Sequence, residues 1–330
     1  MGITVIKGVL PYHCAPDVRS IRRAANNHND MPIRNIAMQS NTSRARAFLR
    51  RSRLAPTLSA LAVGVALSGC ASQEQSTSSP YGNEALNEQL VMATVWMQSA
   101  AEYRALSFQA FNVARLRLDQ ALEGRMPGDR TLAVIVDCDE AVIDNTPFEA
   151  WLIGRDEQYS SANWNAWVED AQARALPGAQ AFLDYARSRG VEVFYVTNRD
   201  ESGLKATMKN LKQLDFPWVD EQHMMLRTDT SDKQPRRDRV MATHDVALLI
   251  GDNLADFDSR YDADDVATRN AQVIQDRAHF GERYIVLPNP TYGGWEAALY
   301  GGDYSLSSQE KDQKRRAALR TWSGPQASAQ

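Results

Sequence analysis

Cysteine is scarce in this 330-residue chain: Cys14, Cys70 and Cys138 are the whole set. Three cysteines cannot make a disulfide-stapled scaffold, so the fold must be held by burial. Histidine is scarce too, and the five present form no metal-ligand cluster; His223 and His244 precede apolar runs and read as surface or structural. Basic charge is not in excess, the net charge being −4, which leaves no footprint for a nucleic-acid polymer. No glycine-rich phosphate cradle, Ser-His-Asp pattern or internal repeat stands out. The apolar run at 54–67 is about 14 residues, short of the roughly 20 that span a bilayer. What remains is 43% hydrophobic and 24% charged, the composition of one globular domain with room for an insertion.

The first part of the chain reads as an address. Arg44, Arg46, Arg50, Arg51 and Arg53 precede the 54–67 run, which closes in Leu67-Ser68-Gly69-Cys70. Positive segment, short apolar segment and small residues before a cut follow the order of a bacterial export signal. A buried apolar helix with a chance cysteine is the other reading. Residues 38–69 are expected to be the signal, with 1–37 a non-native or disordered extension, since Met38 makes the better-proportioned start. The Ser-rich tract within 70–83 cannot bury a core and predicts a flexible tether.

From residue 84 to about 308 the chain reads as an α/β domain. Over 84–125 apolar residues recur at helical spacing, with Leu90, Val91, Val95, Trp96, Leu106, Phe108, Phe111 and Leu116, predicting one or two long helices. Strand-like runs follow at 132–136, 193–196, 224–226, 246–250 and 284–287, separated by helical stretches at 179–189, 203–214 and 234–241. Such alternation predicts a parallel sheet with helices on both faces. Residues 145–177 break the rhythm and read as a cap insertion, while 309–330 predict a charged helix and a disordered tail.

The chemistry gathers where apolar strands run into acid. Ile135-Val136-Asp137-Cys138-Asp139-Glu140 ends one run in two carboxylates, and Ile250-Gly251-Asp252-Asn253-Leu254-Ala255-Asp256 repeats the design. Ligands of open α/β sheets bind at the carboxyl ends of strands, and carboxylates there suit a hard cation. Taken alone, the first pair would also serve as a solvated loop. Thr197-Asn198 ends a third run, and Lys233 is the only lysine between Lys212 and Lys311. Nucleophile, acid, metal ligands, hydroxyl and cation together fit phosphoryl transfer. Cys138, between two acids, is a poor thiolate.

In their order, Asp137/Asp139, Thr197, Lys233 and Asp252/Asp256 resemble the four motifs of haloacid dehalogenase-like phosphatases. Gly251-Asp252-Asn253-Leu254-Ala255-Asp256-Phe257 is similar to the second signature of class C, or DDDD, acid phosphatases, a largely secreted or lipid-anchored group. The resemblance spans residues 90–300, including Ala101-Glu102-Tyr103-Arg104-Ala105-Leu106 and Pro290-Thr291-Tyr292-Gly293-Gly294-Trp295. It implies a Rossmann-like core with a small helical cap and a Mg²⁺-dependent phosphatase of small phosphomonoesters, nucleoside 5′-monophosphates among them. Asp137 would be nucleophile and metal ligand. Asp139 would be acid/base and lend its backbone carbonyl to the metal. Asp252 and Asp256 would complete the metal site, and Thr197, Asn198 and Lys233 would hold phosphate. Trp164 and Tyr292 match the positions that sandwich a substrate ring, with core packing as their other reading. The resemblance also implies acylation of Cys70, outer-membrane anchoring with the domain facing either side, and room for a homodimer. The first signature departs from the family at Cys138, Ala141, Ile143 and Phe148. Ala141 removes a hydroxyl near the nucleophile, which keeps weak catalysis with a binding role as an alternative, beside phosphotransfer through the same intermediate.

Overall fold

The computed structural model describes residues 81–324; Cys70, the 38–69 signal and most of the tether lie outside them. The chain opens with helices α1 (Asn83–Asn87), α2 (Leu90–Ser99) and α3 (Ala101–Leu122). Strand β1 (Leu132–Val136) leads into β2 (Ile143–Asp144), α4 (Thr146–Leu152), α5 (Ser161–Asp170) and β3 (Arg174–Ala175). Then follow α6 (Ala179–Ser188), β4 (Glu192–Asp200), α7 (Leu204–Gln213), β5 (Met224–Arg227), α8 (Gln234–Thr243), β6 (Asp245–Gly251), α9 (Val266–Gln275) and β7 (Tyr284–Val286). Helices α10 (Gly294–Tyr300) and α11 (Ser308–Ala317) close the described chain. Among the described residues no helix is long and apolar enough to cross a membrane.

The main sheet has the order β5-β4-β1-β6-β7, and every pairing is parallel. The fold is therefore α/β with a doubly covered parallel sheet. All five residues of β1 are buried, as a central strand of such a sheet requires. Leu132, Val134 and Val136 join the core packed with Phe111, Leu118, Phe182, Leu183 and Leu211, while Ala133 and Ile135 join Val240, Phe257 and Tyr261 on the opposite face. Each Val, Leu, Ile or Phe among them contributes on the order of 1.5–3 kcal/mol by leaving water.

Two sequence expectations need correction. The face that α3 buries is Tyr103, Ser107, Phe111, Ala114 and Leu118. Leu106, Phe108 and Leu116 are exposed, as is Val95 on α2. Small residues at 107 and 114 let α3 lie close to its neighbours, and Ser107 Oγ is satisfied by the Pro177 carbonyl at 2.7 Å. The helical region also holds three helices: Glu88 and Gln89 part α1 from α2, and extended Ala100 (φ −73°, ψ 133°) separates α2 from α3. Within 145–177, α4 and α5 stand on a two-stranded antiparallel ribbon, Ile143 opposite Ala175 and Asp144 opposite Arg174.

Candidate active site

The carboxyl end of β1 carries Asp137, whose backbone N–H still bonds the Ile250 carbonyl at 2.9 Å. The side chain is thus fixed by the sheet itself. Beyond it the chain turns sharply: the N–H groups of Val142 and Ile143 both reach the Cys138 carbonyl, and Glu140 takes a left-handed φ of 53°. Ala141 is buried in this turn, which is held by those backbone bonds without a hydroxyl at 141.

Lys233 ends the loop after β5, and α8 follows it at once, with Pro235 in its first turn. Its Nζ lies 2.6 Å from Asp137 Oδ1 and 2.6 Å from Asp256 Oδ1. The first contact is ionic, without hydrogen-bond alignment, and the second is a hydrogen bond. Burial would lower the ammonium's pKa, but Asp137 and Asp256 outweigh it and hold Lys233 charged. Asp256 comes from a tight turn after β6, where its Oδ2 accepts the Asn253 N–H at 3.0 Å. Gly251 makes room for it: a Cβ there would stand 2.2 Å from Asp256 Oδ2.

Asp137, Asp252 and Asp256 offer carboxylate oxygens that all lie within 4.8 Å of one another. Burial pushes Asp137 up to about 7, with Lys233 opposing and Asp256 and Asp139 adding to the shift. Asp252 is pushed well above the usual carboxylate range by burial, then by Asp256 and Asp137. Asn289 Nδ2 steadies Asp252 Oδ2 at 2.8 Å. Three crowded hard-oxygen donors with one lysine between them fit a divalent cation. The Asp139 side chain stands outside this trio and is engaged elsewhere, so any part it takes in a metal site is left to its backbone carbonyl.

Asp139 is held by Arg199 and Asn145, which the sequence did not announce, and by Thr197, which it did. Arg199, buried, approaches Oδ1 with Nε at 2.9 Å and Nη2 at 2.8 Å. Asn145 Nδ2 bonds the same oxygen at 2.9 Å, and Thr197 Oγ1 reaches Oδ2 at 3.3 Å. Burial would weaken the Arg199 charge, but Asp139 more than restores it. The signal for Arg199 was available in period two. β4 runs on to Asp200, and Thr197 and Arg199 are buried while Asn198 between them is exposed. Asn198 instead offers its side-chain oxygen to Arg236 Nη2 at 2.6 Å, and Arg236 Nη1 also takes the Thr197 carbonyl at 2.6 Å.

Trp164 and Tyr292 both abut this apparatus. Trp164, half-buried on α5, packs edge-on against Phe148 at 5.1 Å and leans on Tyr159 at 6.0 Å. The Arg199 guanidinium lies 5.7 Å from its ring centre. Tyr292 donates its hydroxyl to Glu140 Oε2. Glu140 is fully buried and pushed well up by burial and then by Asp139 and Asp252. Cys138 is a free, buried thiol raised by burial and by both flanking aspartates. His223 and His244 lie at the other end of the sheet, both on Glu192, at 3.1 and 3.0 Å.

Comparison with known proteins points the same way. The family model described as HAD superfamily, subfamily IIIB (acid phosphatase), matches residues 57–295. Two solved structures of the Class C acid phosphatase from Bacillus anthracis, one with tungstate bound, are similar at TM-score 0.69 and 39% identity. Each match covers 72% of this chain and 99% of the other.

Proposed function

The chain belongs to the subfamily IIIB acid phosphatases of the haloacid dehalogenase superfamily and is a phosphoric monoester hydrolase; from that premise we propose that it cleaves nucleoside 5′-monophosphates and similar small esters through a phosphoryl group carried on Asp137. An Asp137 carboxylate oxygen attacks phosphorus while the bond to the ester oxygen breaks. Asp139 gives that oxygen its proton. Asp139 then takes a proton from water, whose oxygen attacks phosphorus, and the bond to Asp137 breaks to release phosphate. Thr197 and Lys233 hold phosphate oxygens, Lys233 also opposing the charge of the nucleophile.

Phosphatases of this superfamily use a divalent metal, and Asp137, Asp252 and Asp256 would hold it here. Mg²⁺ is the ion proposed, and bound there it neutralises phosphate charge that the carboxylates would otherwise repel. The observation that carries the proposal is Asp137 itself. It is a buried carboxylate at a strand end, 2.6 Å from Lys233 and within the three-aspartate cluster. The nucleotide preference is supported by Trp164 and Tyr292, aromatic groups resting on Arg199 and Glu140, since stacking tolerates any base.

The proposal extends to an address: export through residues 38–69 and a lipid anchor on Cys70, supported by the order of the arginine-rich, apolar and Leu-Ser-Gly-Cys segments. A Cys70→Ala chain should leave the membrane fraction. For the chemistry, residues 71–330 are assayed for phosphate release from an aryl phosphate and several nucleoside 5′-monophosphates, with Mg²⁺ and with chelator. Turnover that requires metal and prefers the nucleotides supports the reading. Turnover indifferent to chelator, or blind to the nucleoside, counts against it.

A further inference from the structure

Resting on the reading of Asp139 as acid/base, we infer that Asn145, with Arg199, is a positioning residue that presents Oδ2 of Asp139, and not Oδ1, to the leaving oxygen. Oδ1 accepts two hydrogen bonds, from Arg199 Nε and Asn145 Nδ2, each at 2.9 Å, and Arg199 Nη2 stands against it as an ion-pair partner at 2.8 Å. The two hydrogen bonds occupy the lone pairs of that oxygen. Oδ2 meets Thr197 Oγ1 alone among the described residues, at a long 3.3 Å. Only the oxygen with an open lone pair can pass a proton, so the supports of Oδ1 decide where the acid points.

Asn145 is fully buried and its polar groups are all engaged. Its backbone N–H bonds Glu140 Oε1 at 2.7 Å, and Nδ2 also reaches Glu140 Oε2 at 3.3 Å. Its Oδ1 accepts from Arg199 Nη2 at 3.1 Å and from Trp167 Nε1 at 2.8 Å. Turning the amide over would set its NH₂ against two donors, so the network itself fixes the orientation. Trp167 lies on α5, one turn beyond Trp164, and Tyr292 hangs on the same Glu140. Asn145 thus joins both ring-contacting residues to the acid: whatever shifts α5 or Tyr292 on substrate binding is felt at Asp139. The residue sets leaving-group protonation without touching substrate.

The test is kcat/KM, which reports the first phosphoryl transfer, for a series of phosphate esters from 2,4-dinitrophenyl through phenyl to alkyl and nucleoside leaving groups. General acid catalysis is worth about 10²–10⁴-fold, and only poor leaving groups need it. Asn145→Ala should therefore lose roughly 10²-fold on alkyl and nucleoside esters and less than about tenfold on the dinitrophenyl ester. Trp167→Phe, which keeps the ring and removes one donor, should tilt the series the same way by a smaller factor. It carries the test if Asn145→Ala does not fold. Calorimetric Mg²⁺ affinity should stay at the wild-type value in both variants. A uniform loss across the series, or a Mg²⁺ affinity that falls in step with the rate, overturns the inference. Asp139→Asn separates it from the reading beneath. If Asp139→Asn steepens the series and neither of the other variants does, the positioning role fails and the acid/base role stands; if Asp139→Asn leaves the slope unchanged, the acid/base role itself fails.

Discussion

At the amino ends of β4, β5 and β6, Glu192, Asp220 and Asp245 have cationic or protonatable company. Glu192 is shared by His223 and His244, Asp220 lies 2.7 Å from His223, and Asp245 meets Arg125 and Arg130 at 3.1 and 3.5 Å. At the carboxyl ends of the same sheet Asp137, Asp139, Glu140, Asp252 and Asp256 crowd around Lys233 and Arg199, with Arg236 occupied by Thr197 and Asn198. One end is settled within the protein. The other holds buried acidic groups in excess of its cations, at the strand ends where the phosphate is proposed to bind. Like charges in a desolvated site are costly, and an anionic substrate would be repelled unless a cation came first. The contrast locates function by its electrostatic deficit.

Breaking the deficit end should have the largest effect. Asp137→Asn should lower kcat by roughly 10⁴-fold or more, measured as phosphate release, because it removes the proposed nucleophile. Lys233→Met should remove the cation shared by Asp137 and Asp256. Stripping one partner from a buried pair costs about 3–5 kcal/mol, read as the denaturation midpoint of metal-free protein, and the loss should shrink when Mg²⁺ is added. In the wild type, Mg²⁺ at a hundredfold excess over its Kd should stabilise by about 2.7 kcal/mol. That is a rise in Tm of several degrees, which Asp252→Asn should largely abolish.

Glu149 sharpens the comparison, being buried on α4 without a role in the site. Burial first and Glu296 second push it up from 4.5 to about 7. The folded chain therefore holds that proton more tightly than the unfolded one. Stability from this group is greatest below 4.5 and is lost as pH rises towards 7. Glu149→Gln should match the wild type in acid and be more stable by about 3 kcal/mol near pH 8, as chemical denaturation at the two pH values would show. The smallest effect belongs to the settled end: Glu192→Gln should cost about 1 kcal/mol and leave kcat/KM unchanged.

The parts legible in the sequence were those written in one segment. An apolar run striking Asp137, and another striking Asp252, needs no tertiary knowledge, and the parallel sheet follows from the alternation of strands and helices. The α3 face was misread because Ser107 and Ala114 carry it, and small residues give no hydrophobic signal although they permit the closest packing. β2 and β3 are two residues each, too short for any period. Arg199 was hidden by ending β4 at Val196, three residues before the alternation delivers it. Asn145 was invisible for a deeper reason: its partners Glu140, Arg199 and Trp167 come from a turn, a strand and a cap helix that only the folded chain brings together.

Phosphate is expected to pass through Asp137 on its way from ester to water. Rapid quench of a single turnover with ³²P-labelled aryl phosphate and Mg²⁺ tests it most directly, followed by peptide mapping. A transient, hydroxylamine-labile label is expected on the peptide that carries Asp137, absent from Asp137→Asn. Full turnover in Asp137→Asn, or a label found only on another residue, would contradict it.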